Sequence, residues 1–174
     1  QRNGITRGLP EKNIKVFLTG GHAATTAAAT VEEIKLQGKE WEVFWVGASN
    51  SIEGKHVSTL ESRILPKLGV RYLPITAGRI QRKFTFWTIP SIFKIPAGFF
   101  QAFHLLVKYK PQVVLSFGGY ASFPVVLAAW FLHIPSVLHE QTAAAGRASR
   151  LSSHFVEKIA LARESSLKYF SKDK

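Results

Sequence analysis

Residues 14–21, IKVFLTGG, and residues 113–119, VVLSFGG, share one pattern. Each is a predominantly apolar run that ends in a pair of glycines, which indicates a buried strand followed by a tight turn. A helix is expected after each of them, over residues 25–36 and 123–132. A strand that leads through a turn into a helix is the repeating unit of α/β proteins with a parallel sheet.

The rest of the chain continues this alternation. Gly47 is expected to end the second strand, Gly69 to follow the end of a helix, and Pro96 to lie in the first turn of another. Six strands with helices between them predict a doubly wound, Rossmann-like parallel sheet in one domain at residues 14–170, after a polar tail at residues 1–13. The other expected strands are 42–46, 71–75, 136–139 and 158–161, and the other expected helices are 60–68, 96–109, 145–152 and 164–170.

Length and composition exclude several classes of protein. The 174 residues are 46% hydrophobic, which is enough for a large core and excludes a disordered chain. Without cysteine there is neither a disulfide scaffold nor a thiolate metal site. Prolines and polar residues interrupt the most apolar windows, so none has the ~20 uninterrupted apolar residues of a transmembrane helix. We expect a soluble or peripheral protein, cytoplasmic by default.

The charge is strongly basic and unevenly distributed. Lys and Arg number 23 against 11 Asp and Glu, a net charge of +12. Between Glu61 and Glu140 there is no acidic residue, and this stretch carries much of the basic excess. The imbalance predicts an anionic partner: a phosphorylated substrate, an anionic membrane or a nucleic acid. A solvated basic surface is the alternative.

The loops that follow the strands are expected to hold the functional site, because ligands of such sheets bind beyond the carboxyl ends of the strands. Glycines let a backbone approach a ligand closely, and the helix that follows presents unpaired N–H groups to it. Two such loops could hold a diphosphate from two sides, although either one alone could be only a tight turn. The loop residues singled out are Thr19, Gly20, Gly21 and His22 in the first loop, and Gly118, Gly119 and Tyr120 in the second.

His22 is a candidate general base. We expect it in the first turn of the helix, where the positive end of the helix dipole disfavours the imidazolium. A neutral imidazole can accept a proton near neutral pH. The alternative is a histidine that only caps the helix.

A third polar loop, residues 139–142 (HEQT), follows an apolar strand. Glu140 could hold a sugar hydroxyl or orient a basic group, whereas an ion pair to Arg147 or Arg150 is the alternative. His139 and Glu140 are adjacent on a strand and point to opposite faces, so they are not expected to share a metal ion. No metal or cofactor is expected.

A basic and aromatic segment follows the third strand. Cations beside aromatic rings suit either a nucleic acid or a membrane interface, and the apolar residues that follow favour lipid. The residues expected at this interface are Arg79, Arg82, Lys83, Phe84, Phe86 and Trp87.

Three motifs in this order and spacing resemble the N-terminal domain of the MurG family, GT-B glycosyltransferases of peptidoglycan synthesis. They are residues 19–22 (TGGH), residues 118–120 (GGY) with the helix after them, and residues 134–141 (IPSVLHEQ). The resemblance covers about residues 14–170. It implies one half of an inverting hexosyltransferase that moves N-acetylglucosamine from UDP-N-acetylglucosamine to an undecaprenyl-diphosphate-linked N-acetylmuramoyl peptide. That reaction converts lipid I to lipid II at the cytoplasmic face of the bacterial cell membrane.

The resemblance also implies roles for individual residues. The four loop glycines would hold the acceptor diphosphate, and His22 would deprotonate the acceptor hydroxyl. If His22 is instead a phosphate contact, Glu140 is the other candidate base. The basic and aromatic segment would match the family's membrane-associating patch. The further substrate-binding residues implied are Thr19, Tyr120, Gln141, Thr142 and Ser149.

The chain departs from the family pattern in three places and in length. Phe17 and Leu18 replace a glycine pair, and Thr142 and Ser149 replace asparagines. Residues 171–174 would begin the linker to a second domain, which supplies most of the UDP-sugar pocket in the family. The chain alone is therefore expected to be inactive and to need a donor domain.

Two other functions are considered. One is a non-catalytic, membrane-recruiting subunit of a split glycosyltransferase that binds the acceptor and pairs with a separate donor-domain chain. The other is a basic nucleic-acid-binding domain, which the glycine loops do not favour, so no nucleic acid is expected as a partner.

Overall fold

A computed structural model describes residues 14–48, 50–52, 55–76 and 88–174 of the chain. Strands and helices alternate along the described residues. Two short 3-10 turns, Leu65–Leu68 and Glu164–Tyr169, accompany them. In chain order the strands and α-helices are β1 (Lys15–Thr19), α1 (Ala24–Leu36), β2 (Glu42–Ala48), β3 (Asn50–Ile52), β4 (Lys55–Ser58), α2 (Leu60–Ile64), β5 (Arg71–Ile75), α3 (Thr88–Tyr109), β6 (Val113–Ser116), α4 (Phe123–Phe131), β7 (Ser136–Glu140), α5 (Arg147–Ser152) and β8 (Lys158–Leu161).

Six strands form one sheet in the order β5-β2-β1-β6-β7-β8, and every neighbouring pair is parallel. From β1 the chain runs outward to β2 and β5, then crosses to β6 and runs outward the other way. The order therefore reverses between β1 and β6, where Thr19 pairs with Ser116. This is the doubly wound, Rossmann-like sheet predicted from the sequence, and its ligand crevice is expected at this reversal.

The core lies on both faces of the sheet, because successive side chains of a strand point to opposite faces. Phe17 of β1 packs with the cluster under α3 and α4, whereas Leu18, its neighbour, packs with the cluster under α1. Both side chains are fully buried. Since β1 is covered on both sides, it is a run of apolar residues without polar alternation.

The prediction that Gly47 ends the second strand is wrong, since β2 continues to Ala48. A Cβ atom on Gly47 would lie 2.5 Å from the indole nitrogen of Trp45. Glycine therefore makes room for a buried indole within the strand and does not end it.

The prediction that Pro96 begins a helix is also wrong. The helix α3 begins at Thr88, and Pro96 lies inside it on an exposed position. Pro90 is the proline that lies in the first turn of α3, where its missing N–H group leaves no helical bond unmade. The C-terminal end at Tyr109 agrees with the prediction.

The remaining boundaries agree with the predicted ones to within one or two residues, with three differences in kind. The helix predicted at 164–170 is the 3-10 turn Glu164–Tyr169. The predicted helix 60–68 is α2 followed by a 3-10 turn, and Gly69 follows it with a left-handed φ of 76° as expected. The hairpin β3–β4 lies outside the main sheet and was not predicted. Its strands have few apolar residues, so no alternating pattern marks them.

The two glycine loops contact each other at the reversal of the sheet. The Gly21 N–H group donates a hydrogen bond to the Gly118 carbonyl at 2.9 Å. Gly118 and Gly119 both have left-handed φ angles, of 73° and 88°. A Cβ atom on Gly119 would lie 2.9 Å from the Gly21 nitrogen, so a side chain there would push the loops apart.

Substitution of Gly119 tests this packing. We expect Gly119→Ala to lower the free energy of unfolding by about 3 kcal/mol, because it adds overpacking against a backbone to the cost of a left-handed alanine. Gly38→Ala is the matched control, since Gly38 has a φ of 64° and nothing within 4 Å of an added Cβ atom. It should cost only about 1 kcal/mol. Equal losses in urea denaturation would show that the loops do not pack as described.

Candidate functional site

His22 lies on the first loop, just before the helix that follows β1. The helix α1 begins at Ala24, with Ala23 as its N-cap residue. His22 therefore lies outside the helix, and the prediction that it lies in the first turn is wrong. Its backbone is left-handed, with a φ of 61°, which is uncommon for a residue with a side chain. The side chain is exposed, and its ring centroid lies 6.5 Å from that of Tyr120 on the second loop. The structure therefore brings a titratable side chain to the surface where the two loops meet.

Glu61, which the sequence analysis did not single out, supports the first loop from beneath. Its carboxylate is buried, and Oε1 accepts a hydrogen bond from the Ala23 N–H group at 2.9 Å. The N-terminus of α1 thus already has an internal anion close to it. The signal in the sequence was indirect: Glu61 is one of the two acids that bracket the acid-free stretch.

A small cleft of about 30 Å³ is lined by Glu61 and by residues of both glycine loops. It accommodates little more than a water molecule. Tyr72 lines this cleft, and its hydroxyl donates to the Ala48 carbonyl at 2.6 Å. Burial raises the pKa of Tyr72, a hydrogen bond with Thr59 opposes the rise, and the electrostatic interactions with Glu61 and Tyr120 add to it. Tyr72 therefore remains a neutral hydrogen-bond donor.

The second loop is held by hydrogen bonds to serine side chains at both of its ends. The Gly118 N–H group donates to the Ser116 hydroxyl at 3.2 Å, and the Ser122 hydroxyl donates to the Gly119 carbonyl at 2.8 Å. Together with the bond from Gly21, these contacts use two of the glycine N–H groups that were expected to bind a diphosphate. A ligand at these loops must be bound by other groups.

Glu140 ends β7 and is buried, with 4% of its surface exposed. Its Oε1 atom accepts hydrogen bonds from the Thr142 N–H group at 2.9 Å and from the Thr142 hydroxyl at 2.6 Å. No ion pair joins it to Arg147 or Arg150, both of which the structure describes. Arg150 instead donates to the Ala145 carbonyl and stacks on Tyr169, 4.0 Å from the ring centroid. The ion-pair alternative for Glu140 is therefore wrong.

The third loop lies against the second. A Cβ atom on Gly118 would meet the Ser149 hydroxyl, and it would lie 4.0 Å from Glu140 Oε2. Two polar atoms of the loop, Gln141 Oε1 and His139 Nδ1, are buried without a hydrogen-bond partner, and so is Thr19 Oγ1 at the end of β1. All three predicted loops thus meet at one edge of the sheet.

The predicted membrane residues Arg79, Arg82, Lys83, Phe84, Phe86 and Trp87 lie outside the described residues. Nearby in sequence, however, α3 carries exposed aromatic residues that contact others on α4. Phe100, Trp130 and Phe131 are 68%, 50% and 55% exposed. Phe99 joins them, because its ring contacts both Phe100 and Phe131. We call these four residues the aromatic patch.

Neither a metal centre nor a membrane span is found in the described part of the chain. No group of three His, Asp or Glu side chains could hold a metal ion there. Within the same residues, no helix is both long enough and apolar enough to cross a bilayer.

Comparisons with known proteins agree with this arrangement. A protein of Staphylococcus carnosus named UDP-N-acetylglucosamine--N-acetylmuramyl-(pentapeptide) pyrophosphoryl-undecaprenol N-acetylglucosamine transferase is 37% identical over 161 residues, which cover 92% of this chain and 43% of that protein. A protein of the same name from Legionella pneumophila is 36% identical over 159 residues, covering 90% and 41%. The chain thus spans about two fifths of the length of these relatives.

Solved structures show the same relationship. The crystal structure of Acinetobacter baumannii MurG superposes with a TM-score of 0.66 at 26% identity, over 88% of this chain and 42% of that one. A UDP-GlcNAc 2-epimerase from Neisseria meningitidis shares the fold, with a TM-score of 0.52 at 14% identity over 83% and 39%. The model of the glycosyltransferase family 28 N-terminal domain matches residues 16–161, from the first strand of the sheet to the last. The chain therefore belongs to the glycosyltransferase family 28 N-terminal domain family.

Proposed function

We propose that the chain is the acceptor-binding half of a transferase that moves N-acetylglucosamine from UDP-N-acetylglucosamine to an undecaprenyl-diphosphate-linked N-acetylmuramoyl peptide. The observation that supports this most is the meeting of three loops at the reversal of the sheet, in a chain whose relatives carry that name. The relatives are more than twice as long as this chain, and a second domain in their remaining length would supply the donor pocket.

The reaction needs one base. The acceptor hydroxyl oxygen forms a bond to the anomeric carbon while the bond from that carbon to the UDP oxygen breaks, and UDP leaves with the electron pair. Because the acceptor oxygen displaces UDP directly, no covalent intermediate on the protein is needed, and the hydroxyl proton passes to a protein side chain. His22 is exposed at the loop edge, whereas Glu140 is buried and its Oε1 atom is already bound to Thr142. Access to the substrate favours His22 as the base.

Charge favours an acceptor diphosphate outside the loops. Glu61 lies behind the first loop and Glu140 beside the second, and both are buried. A diphosphate pressed between the loops would approach both carboxylates, and like charges repel. We infer that the diphosphate lies on the outer side of the loops. The acid-free stretch between Glu61 and Glu140 supplies the chain with cations that could balance such a charge.

The same stretch supports peripheral binding at the cytoplasmic face of the membrane. The aromatic patch presents rings that can enter a headgroup region, and cations are attracted to anionic lipid. A membrane-bound position brings the site to an acceptor that is itself anchored in lipid. An anionic membrane surface is thus a proposed partner of the chain.

Reconstitution from two halves tests whether this chain binds the acceptor and a second domain binds the donor. We expect the purified chain alone to transfer no N-acetylglucosamine to the lipid-linked acceptor, because most of the UDP-sugar pocket lies in the other half. Addition of the C-terminal half of the Staphylococcus carnosus relative should restore measurable transfer of radiolabelled sugar. Full turnover by the chain alone would contradict the proposal, as would a mixture that binds RNA in preference to polyprenyl diphosphate.

Replacement of His22 tests the base. In the reconstituted enzyme, His22→Gln should lower kcat by about 10²–10⁴-fold, the usual contribution of a general base, while acceptor binding is retained. His104→Gln is the matched control, since His104 is an exposed histidine on α3. A wild-type kcat with weakened acceptor binding would instead make His22 a phosphate contact.

Vesicle sedimentation tests membrane binding. The double variant Trp130→Ser/Phe131→Ser should bind anionic vesicles about 10-fold more weakly, because two half-exposed rings no longer enter the interface. Neutralisation of Arg79, Arg82 and Lys83 should weaken binding further at low salt and have little effect at high salt. Leu36→Ser is the control for a lost apolar side chain, since Leu36 is 83% exposed on α1. Unchanged sedimentation of the double variant would exclude the aromatic patch from the membrane interface.

A further inference from the structure

Two buried carboxylates stand apart from the other acids. Among the acidic residues whose side chains the structure describes, only Glu61 and Glu140 are buried. The exposed ones are Glu32, Glu33, Glu40, Glu42, Glu157, Glu164 and Asp173. A buried carboxylate is costly unless hydrogen bonds compensate for its lost hydration. Glu140 accepts hydrogen bonds from donors of its own loop, whereas Glu61 accepts one from a different part of the fold.

The single described hydrogen bond of Glu61 reaches across the fold. Its Oε1 atom accepts from the Ala23 N–H group, 38 residues away in the chain. The short helix that carries Glu61 is fixed at its start, where the Thr59 hydroxyl accepts from the Ser62 N–H group at 3.2 Å. Directly after it, Leu65 is fully buried in the cluster under α1. Glu61 is therefore held on a well-anchored element.

This bond acts on the peptide group next to His22. The N–H group of Ala23 belongs to the peptide plane that begins at the His22 carbonyl, so its direction depends on the ψ angle of His22. The φ angle of His22 is 61°, a left-handed conformation that is unfavourable for a residue with a side chain. A conformation of this kind persists only where the surroundings hold it. The Glu61 carboxylate is the group that the structure places on that peptide.

We propose that Glu61 is a positioning residue, whose buried carboxylate holds the peptide group between His22 and Ala23 and so fixes the direction in which His22 leaves the loop. The part of this inference that concerns the backbone stands on geometry alone. The part that concerns catalysis rests on the proposed function, in which His22 is the base.

In this role the side chain of Glu61 must place an acceptor oxygen within hydrogen-bond distance of the Ala23 N–H group. Glutamine keeps an acceptor oxygen at the same reach and loses the charge. Aspartate keeps the charge, but its side chain is shorter by one carbon–carbon bond, about 1.5 Å. Glu61→Gln and Glu61→Asp therefore separate the hydrogen bond from the charge, and Glu61→Ala removes both.

Amide hydrogen exchange of Ala23, measured by NMR in the intact chain, tests the backbone part. Exchange should be about 10-fold faster in Glu61→Asp and Glu61→Ala, the factor that corresponds to loss of one hydrogen bond. Glu61→Gln should exchange as the wild type does. Glu32→Gln is the matched control, because it removes an exposed carboxylate from α1. The opposite order, with Asp protected and Gln not, would overturn the inference.

Kinetics of the reconstituted enzyme test the catalytic part. Glu61→Asp should lower kcat by about 10–10²-fold, the effect of a misplaced catalytic group, with little change in the KM for the acceptor. Glu61→Gln should rescue most of that loss, which a role through charge would not allow. An equal loss of kcat in both variants would contradict the positioning role. If the reconstituted wild-type enzyme shows no transfer at all, the proposed function fails. The exchange experiment, which uses the chain alone, still decides the role of Glu61.

Discussion

The hydrogen bond from the Gly21 N–H group to the Gly118 carbonyl is the contact on which the site depends. The ladder between β1 and β6 ends with Thr19 and Ser116, and this bond continues it into the loops. It joins the two halves of a sheet at the point where the strand order reverses. A side chain on Gly119 would enter the space that it needs. Because the backbones touch, groups from separate crossovers come together: His22, Tyr120 and, one strand further, Glu140.

The interior of this site and its surroundings have opposite charge. Two buried carboxylates lie behind and beside the glycine loops, in a chain whose net charge is +12. Each carboxylate accepts a hydrogen bond from a backbone N–H group, which makes its burial tolerable. The acids thus shape the loops from within, and the attraction for anionic groups resides in the exterior.

The architecture could be predicted because it depends on periodicity and local turns. Apolar runs that end in glycine located β1 and β6, and the rule for strand ends located the loops. Side-chain packing could not be predicted in the same way. Gly47 makes room for the Trp45 indole within a strand, and Pro96 lies inside a helix that begins at Thr88. In both cases the prediction relied on the local preference of the residue, glycine for strand ends and proline for helix starts. Packing elsewhere in the fold determines the position instead.

The site was predicted in part for a similar reason. The loops and His22 follow from their places after strands. Glu61 does not, because its partner is 38 residues away and nothing near it in the sequence indicates the contact. The ion pair considered for Glu140 was equally uncertain from sequence. Thr142 is closer to Glu140 in the chain than either arginine is, and its N–H and hydroxyl groups both donate to Glu140 Oε1.

The order of the strands also affects how the chain can fold while it is synthesised on the ribosome. The central strand β1 is synthesised first, but its neighbour β6 follows about a hundred residues later. At a translation rate of about 5–20 residues per second, β1 waits about 5–20 s for one of its two partners. During that interval β2 can pair with β1, and β5 with β2, while the backbone groups of β1 that later pair with β6 stay unpaired. Chaperones that bind such an edge would meet this chain before its two glycine loops have ever touched.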